Sequence, residues 1–224
     1  MKKICLILSL FLIGGSAVLG ILTKHSFTDH IQLNNVDNYI VRYTPDDSIP
    51  EEDFDSLIDT ELEMLEHVNL IAKVKFTGQR VQKYECTLST VDVLEVYRGD
   101  GTLKGKRINV YELNYFHSEG LYMNYTNLNL MKEGREYYVF MRKRDYMTEY
   151  QKKLKYLEYY GYLNYFSIIP VEKNMEHYFT PGKKLCWSDV KDYDYICFSQ
   201  QRIDFLIKGQ EVLLAEIGIN HSLQ

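Results

Sequence analysis

The feature that most constrains this chain is an uncharged run at its N-terminus. Lys2 and Lys3 are followed by an apolar segment from Ile4 to Leu22 that contains no charged side chain. Such a segment has no polar face, so it is unsuited to the surface of a globular protein. It predicts either a transmembrane anchor, which needs about 20 apolar residues, or a secretory signal peptide with its apolar core.

Both interpretations of residues 1–24 remain open at the level of sequence. The small residues Gly14 to Ala17 are typical of a signal-peptide cleavage site. The apolar run continues past them from Val18 to Leu22, which favours an uncleaved anchor. In either case the positive-inside tendency keeps the two lysines in the cytoplasm. We therefore expect a protein that is tethered to the cell membrane through residues 4–22, or secreted, with its bulk extracytoplasmic.

Charge and composition restrict the partners of the remaining chain. The 224 residues carry a formal net charge of −5, and 46% of them are hydrophobic. A polybasic nucleic-acid binder is thereby excluded as the default, and no nucleic-acid partner is expected. The hydrophobic fraction is that of a globular protein with its own core. Residues 25–50 are mixed and polar, and they predict a stalk or an irregular strand.

An amphipathic helix is predicted from Glu51 to Glu66. Its apolar residues recur at helical spacing, and Ser48 to Glu51 forms a capping-box pattern. The acidic residues of this segment predict a solvated helix face. The apolar positions are Phe54, Leu57, Ile58, Leu62 and Leu65.

Alternating apolar residues predict a series of strands after this helix. The strands are long and joined by glycine-containing turns, which is typical of a closed or partly closed antiparallel barrel. A slip in the apolar parity between Leu88 and Val91 predicts a β-bulge. The predicted strands are Val68–Phe76, Tyr84–Tyr97, Arg107–Leu113, Tyr137–Met141 and Ser167–Val171. Their predicted core residues are Val93, Val96, Ile108, Val110, Val139 and Phe140.

The segment from Ser199 to Ile217 has two possible structures. Its apolar residues have helical spacing, which favours a helix. Gly209 costs such a helix about 1 kcal/mol relative to alanine. A hairpin that turns at Lys208 and Gly209 is the alternative.

One stretch resembles a known family. Val93 to Gly99 reads VLEVYRG, and the longer segments Val91–Asp100, Leu103–Tyr111 and Leu130–Met141 continue the pattern. This is similar to the netrin-like, tissue-inhibitor-of-metalloproteinase-like OB-fold domains of secreted bacterial proteins, over about residues 60–180. Inhibitors of that fold place a mature N-terminal cysteine on the protease zinc, whereas the first cysteine after Cys5 is Cys86. The resemblance therefore implies the fold and no inhibitory residue.

The predicted fold is mainly β with flanking helices. It consists of a five-stranded OB-like antiparallel barrel, an N-terminal membrane helix and a C-terminal helical extension. The expected divisions are residues 1–24 as signal peptide or anchor, 25–50 as stalk, 51–180 as barrel with its leading helix, and 181–224 as extension.

A tyrosine-rich segment is the candidate ligand surface. OB-folds bind oligonucleotides and oligosaccharides on one face, often through aromatic stacking. The same rings could instead pack the barrel and its C-terminal helix, and this second interpretation is favoured. The residues concerned are Tyr156, Tyr159, Tyr160, Tyr162 and Tyr165.

Cys186 and Cys197 are predicted to form a disulfide. An exported domain meets an oxidising environment, and polar residues between the two cysteines suit an exposed loop. Two packed, reduced thiols are the alternative.

No catalytic motif, cofactor site or metal-ligand spacing is evident. Asp192 and Asp194 are interpreted as a solvated turn rather than a cation site. The expected function is a non-enzymatic extracytoplasmic interaction module with an unknown partner. A ligand-binding or inhibitory domain that uses the aromatic barrel face, and a hydrolase with an unrecognised site, are the alternatives.

Overall fold

A computed structural model of the chain describes residues 13–21, 23, 36–43, 53–144, 149, 157–172, 184–197 and 199–219. Internal contacts divide the chain into two units, residues 1–34 and residues 35–224. In the first unit, residues 13–21 are helical and their large apolar side chains are exposed. The rest of the predicted apolar run, residues 4–12 and 22, lies outside the described residues. Among the residues that are described, no helix combines the length and the apolar character that a membrane crossing requires.

The second unit begins with β1 (Ile40–Tyr43) and α1 (Phe54–Leu65), and strands then predominate until the C-terminal helices. In chain order these elements are β2 (Leu70–Gln82), β3 (Thr87–Arg98), β4 (Arg107–Glu112), β5 (Tyr115–His117), β6 (Leu121–Asn124), β7 (Glu136–Lys143), β8 (Glu158–Gly161), β9 (Ile168–Pro170), α2 (Trp187–Val190) and α3 (Gln200–Glu216).

Five strands close into a barrel in the order β2-β3-β4-β8-β7, because β7 also pairs with β2. The closed five-stranded barrel predicted from sequence is therefore confirmed, and it is consistent with an OB-like fold. The predicted barrel was wholly antiparallel, which is wrong for one pair. β4 and β8 run parallel, as the long connection from residue 113 to residue 157 allows.

The barrel interior is filled by side chains from every strand. Five of the six predicted core residues are buried, and Val96, near the end of β3, is half-buried. Phe140 is fully buried, but it packs outside the barrel against the helices rather than inside it. Strand β7 is therefore covered on both faces. The interior cluster comprises Leu70, Ala72, Val74, Phe76, Val91, Val93, Leu103, Ile108, Val110, Met131, Tyr137, Val139, Met141 and Tyr159.

A second apolar cluster lies between the barrel wall and the helices α1 and α3. The predicted amphipathic helix is present as α1, and the C-terminal segment is a helix, α3, rather than a hairpin. Gly209 is required where α3 meets the loop before β9. A Cβ atom at Gly209 would lie 2.2 Å from Cζ of the buried ring of Phe166.

One acidic residue of α1 departs from the predicted solvated face. Glu61 is buried, and its two carboxylate oxygens each lie 3.1 Å from the Asn164 backbone N–H. Burial raises the pKa of Glu61 to about 7 because it disfavours the charged form. The backbone bonds from Asn164 oppose this effect by favouring the carboxylate.

The β2–β3 pairing is irregular where a β-bulge was predicted, between Leu88 and Val91, but the extra residues lie on β2 rather than on β3. Burial alternates regularly along β3 from Thr87 to Val93, and Ser89 takes an inward position. Its hydroxyl donates a hydrogen bond to the buried Glu112 carboxylate, which also accepts from the Met131 backbone N–H at 2.7 Å. The irregularity opposite this point lies on β2, between Phe76 and Arg80.

The Asp192–Asp194 turn differs from the solvated turn that was predicted. Asp192 is exposed, but Asp194 is buried. The Asp194 carboxylate forms a 2.9 Å ion pair with Lys132 and a second ion pair with Arg135. It thereby fixes the loop before β7 to the C-terminal part of the chain.

Part of the segment predicted as a stalk or irregular strand forms β1. This strand pairs in parallel with β6, which in turn pairs with β5 in a small three-stranded sheet. Trp187 packs on this sheet, with its ring centroid 4.3 Å from that of Tyr122.

Candidate functional site

The outer face of strands β3, β4 and β8 is the candidate ligand surface. On β4 and β8, Val110 and Tyr159 point into the barrel core. Because side chains alternate along a strand, their neighbours point outward. We call the outward residues Leu88, Thr90, Asn109, Tyr111, Glu158 and Tyr160 the outer patch. All six are half-buried, so they remain accessible to solvent.

Strand register arranges the outer patch in two rows. Leu88 lies opposite Tyr111, and Tyr111 lies opposite Tyr160, which makes one row apolar and aromatic. Thr90 lies opposite Asn109, and Asn109 lies opposite Glu158, which makes the adjacent row polar. The patch therefore presents an apolar strip beside a strip of hydrogen-bonding groups.

The charge within the outer patch is balanced by a neighbouring arginine. The Glu158 carboxylate accepts hydrogen bonds from the Tyr111 hydroxyl at 2.9 Å and from Arg144 at 3.1 Å. The Arg144 guanidinium also lies 5.6 Å from the centre of the Tyr111 ring. Burial, helped by the hydrogen bond to Glu158, raises the pKa of Tyr111 to about 12, so its hydroxyl stays protonated at neutral pH.

Three polar atoms of the patch have no hydrogen-bond partner in the described part of the chain. Oδ1 of Asn109 accepts from Thr90 at 3.0 Å, while its amide nitrogen Nδ2 is unpartnered. Glu158 uses Oε2 for its bonds, which leaves Oε1 unpartnered. The Tyr160 hydroxyl is unpartnered as well. The patch therefore offers one amide donor, one carboxylate acceptor and one hydroxyl that can do either.

Exposed apolar residues extend the patch towards one end of the barrel. Val81, which lies opposite Leu88, is 50% exposed. Leu113 at the end of β4 is 55% exposed, and Tyr84 at the tip of the β2–β3 hairpin is 87% exposed. Apolar side chains grouped on one surface mark an interaction site more often than scattered ones do.

A small cleft adjoins the patch. The cleft beside Tyr111 encloses about 30 Å³, which is room for only one or two water molecules. A larger groove of about 370 Å³ lies between α1 and α3, on another surface, lined by Phe54, Ile58 and Phe205. A ligand of the outer patch would thus bind on an open surface.

The five predicted tyrosines do not share a face. Tyr160 belongs to the outer patch, whereas Tyr159 is buried in the barrel interior. Tyr162 packs under the Arg142 guanidinium at 4.8 Å, and Tyr165 packs beside Phe205 at 5.7 Å between ring centres. Tyr156 lies outside the described residues.

No disulfide joins Cys186 to Cys197 in the structure. Cys186 precedes α2, and its backbone pairs with that of Ile40 on β1 in an isolated β-bridge. Cys197 is buried, with its sulfur 4.0 Å from Oδ1 of Asn127. The disulfide between them stays a prediction. The third described cysteine, Cys86, is half-buried near Arg144, and burial raises the pKa of its thiol.

Sequence reasoning identified Tyr160 but missed the rest of the outer patch. The alternation of residues along β3 and β4 indicates which side chains face outward. Leu88, Asn109 and Tyr111 alternate there with the core residues Ser89, Ile108 and Val110. The part that no local pattern contains is the pairing of β4 with β8, which brings Asn109 beside Glu158.

Neither a metal centre nor a known family accounts for the site. Among the described residues, no group of three or more histidine, cysteine or acidic side chains is placed to hold a metal ion. No protein-family model matches the chain, and no curated protein matches it significantly.

Proposed function

We propose that this chain is an extracytoplasmic binding module, without catalytic activity of its own, that contacts its ligand through the outer patch. The observation that carries the proposal is the contrast between two sides of one barrel. The wall around Phe140 is covered by α1 and α3. The wall formed by β3, β4 and β8 presents accessible aromatic and polar groups instead.

The resemblance of Val91–Met141 to netrin-like OB-fold domains supports this proposal at the level of fold. OB-like barrels commonly bind on the outer face of their second and third strands and on the adjoining loops. The corresponding strands here are β3 and β4. The loop that would match on one side is the β2–β3 hairpin, which carries Tyr84.

Export is the second part of the proposal, and it rests on the sequence of residues 1–24. Lys2 and Lys3 before the apolar run favour an orientation with the barrel outside. Protease added to intact cells that express the full chain should digest the barrel. Digestion only after lysis would contradict an extracytoplasmic location.

Site-specific photo-crosslinking in intact cells tests the binding surface. A photoreactive residue at Leu113, beside the patch, should give a covalent adduct with a cellular component. The matched control is the exposed position Glu211 on α3, outside the groove between α1 and α3, which should give none. Tyr160→Ser should reduce the adduct at Leu113. Equal labelling at both positions, or no effect of the Tyr160 substitution, would contradict the proposal.

A further inference from the structure

We infer that the groove between α1 and α3 is a second interaction surface, which binds a basic amphipathic α-helix of a partner protein. The groove is lined by other residues than the outer patch, so the inference goes beyond the proposed function and does not rest on it. It is carried by the one-sided placement of acidic residues on α1, together with the apolar floor of the groove.

The exposed acidic residues of α1 follow one side of the helix. Asp55, Asp59 and Glu63 are exposed and spaced four residues apart, so they form one row along the helix. We call these three residues the acidic row. The exposed side chains next to this row on α1, those of Ser56 and Thr60, are uncharged. The acids of α1 are therefore concentrated on one side rather than spread over its solvated surface.

The acidic row borders the groove. Asp55 lines the groove beside the apolar residues Phe54 and Ile58, whereas Ser56 does not. On the opposite edge, α3 contributes the exposed carboxylate of Asp204. The groove thus has an apolar floor between two edges that carry carboxylates. Such a surface is complementary to an apolar stripe flanked by cations.

Most of this negative charge is uncompensated in the part of the chain that the structure describes. The α1 sequence contains no lysine or arginine. Lys208 forms a 2.6 Å ion pair with Asp55, but Asp59 and Glu63 have no ion-pair partner among the described residues. Like charges four residues apart on a helix repel one another. Cations of a bound partner would relieve this repulsion, and an exposed ion pair such as that of Lys208 is weak enough to be exchanged.

A helix is the partner structure that fits the groove. In helix-in-groove recognition, an amphipathic helix lays its apolar face into a hydrophobic groove, with anchors three or four residues apart. Lysines or arginines at the same spacing would lie along the acidic row, whose carboxylates also repeat every four residues. The same charge opposes a nucleic acid or an anionic lipid surface, because both present negative charge.

Isothermal titration of the full chain with synthetic peptides tests the inference. The probe is a peptide of about 18 residues with a leucine stripe flanked by lysines, a length that supports a helix in water. One control peptide has glutamate in place of lysine, and a second has the composition of the probe in an order that breaks the stripe. The probe should bind with a Kd of about 10 μM at low salt. Binding should weaken by about tenfold or more in about 1 M salt, where charges are screened, and neither control peptide should match the probe.

Two double variants locate the binding. Asp59→Asn combined with Glu63→Gln should weaken binding of the probe by about tenfold, because it removes two exposed charge pairs. It also removes repulsion within the acidic row, so it should leave Tm unchanged or raise it. The matched control is Glu85→Gln combined with Glu119→Gln, which removes the same charge from two exposed positions outside the groove. This control should leave binding of the probe unchanged.

The remaining outcomes overturn the inference. No binding of the probe at low salt would do so, as would equal weakening by both double variants. If the peptide without the stripe bound as tightly as the probe, the groove would have no part in recognition. Sedimentation velocity detects a second copy of the chain as the occupant. Self-association that Asp59→Asn with Glu63→Gln abolishes would mean that the groove binds this chain rather than another protein.

Discussion

Replacing Gly209 with alanine should destabilise the protein, although the same change stabilises most helices. A Cβ at Gly209 would lie 2.2 Å from Cζ, 2.8 Å from Cε2 and 2.9 Å from Cε1 of Phe166. Carbon atoms in contact are normally about 3.5–4.0 Å apart. The ring would have to retreat by more than about 1 Å. Phe166 is fully buried, with Phe205 next to it at 5.6 Å between ring centres, so it has little room to do so.

Two opposing effects on the free energy of unfolding set the size of this destabilisation. Alanine in a helix interior stabilises the helix by about 1 kcal/mol relative to glycine. Overpacking of a filled core typically costs about 1–3 kcal/mol, and the closeness of this contact favours the upper end of that range. The net loss should be about 1–2 kcal/mol. For a chain of this size that lowers Tm by roughly 2–8 °C.

Urea unfolding followed by circular dichroism measures this change, and a double-mutant cycle assigns it. Phe166→Leu removes the tip of the ring, so adding Gly209→Ala to it should cost little or should stabilise. Glu211→Ala on the exposed face of the same helix is the control, with an expected change within about 0.5 kcal/mol. If Gly209→Ala alone stabilised the protein by about 1 kcal/mol, the packing of α3 against Phe166 would be refuted.

Four further predictions concern the core, a buried acid, a buried ion pair and the cysteines. Phe140→Ala should cost about 3–5 kcal/mol in chemical unfolding, and a loss below about 1 kcal/mol would show that β7 is not covered by the helices. Because the pKa of Glu61 is about 7 when folded and about 4.5 when unfolded, the folded state binds its proton more tightly. The resulting stabilisation, at most about 3 kcal/mol, is complete below pH 4.5 and is lost as the pH rises through 7. Glu61→Gln should flatten the stability profile between these values, and an unchanged slope would count against a protonated Glu61. Asp194→Asn should cost about 3 kcal/mol by leaving Lys132 and Arg135 without their shared anion, whereas the exposed Asp192→Asn should be nearly neutral. Non-reducing peptide mapping of the full chain, purified from the cells that express it, should recover a peptide that links Cys186 to Cys197, and alkylated forms of both would refute the disulfide.

Periodic apolar residues were sufficient to predict the helices and most strands. The spacing of Phe54, Ile58 and Leu65 predicts α1, and the alternation through Ile108 and Val110 predicts β4, because in each case one face is buried against the core. These are local patterns, so a single sequence contains them.

Polar residues inside the protein account for three of the errors. Ser89 and Glu112 fill inward positions and bond to each other, so the apolar parity of β3 placed the bulge on β3 rather than on β2. Glu61 and Asp194 were assigned to solvent because their partners, Asn164, Lys132 and Arg135, are distant in sequence. Burial of a polar group depends on such partners, and local spacing does not contain them.

The candidate site was predictable only in part for the same reason. Tyr159 and Tyr160 are neighbours in an aromatic segment, yet one enters the core and the other faces outward. The phase of β8 follows from its parallel pairing with β4, which is a long-range contact. Once that pairing is known, the outer patch follows from strand alternation.

The central claim is that Leu88, Tyr111 and Tyr160 form one solvent-accessible surface of the barrel, and solvent paramagnetic relaxation measures this directly. A neutral gadolinium chelate added to the labelled full chain broadens the NMR signals of accessible protons. We expect broadening of the Leu88 methyl signals and of the Tyr111 and Tyr160 ring signals. The signals of Val110 and Tyr159, their neighbours in sequence, should be spared because both side chains lie in the core. Equal protection of Tyr159 and Tyr160 would contradict the account, since it would mean that the outer face of β8 is covered.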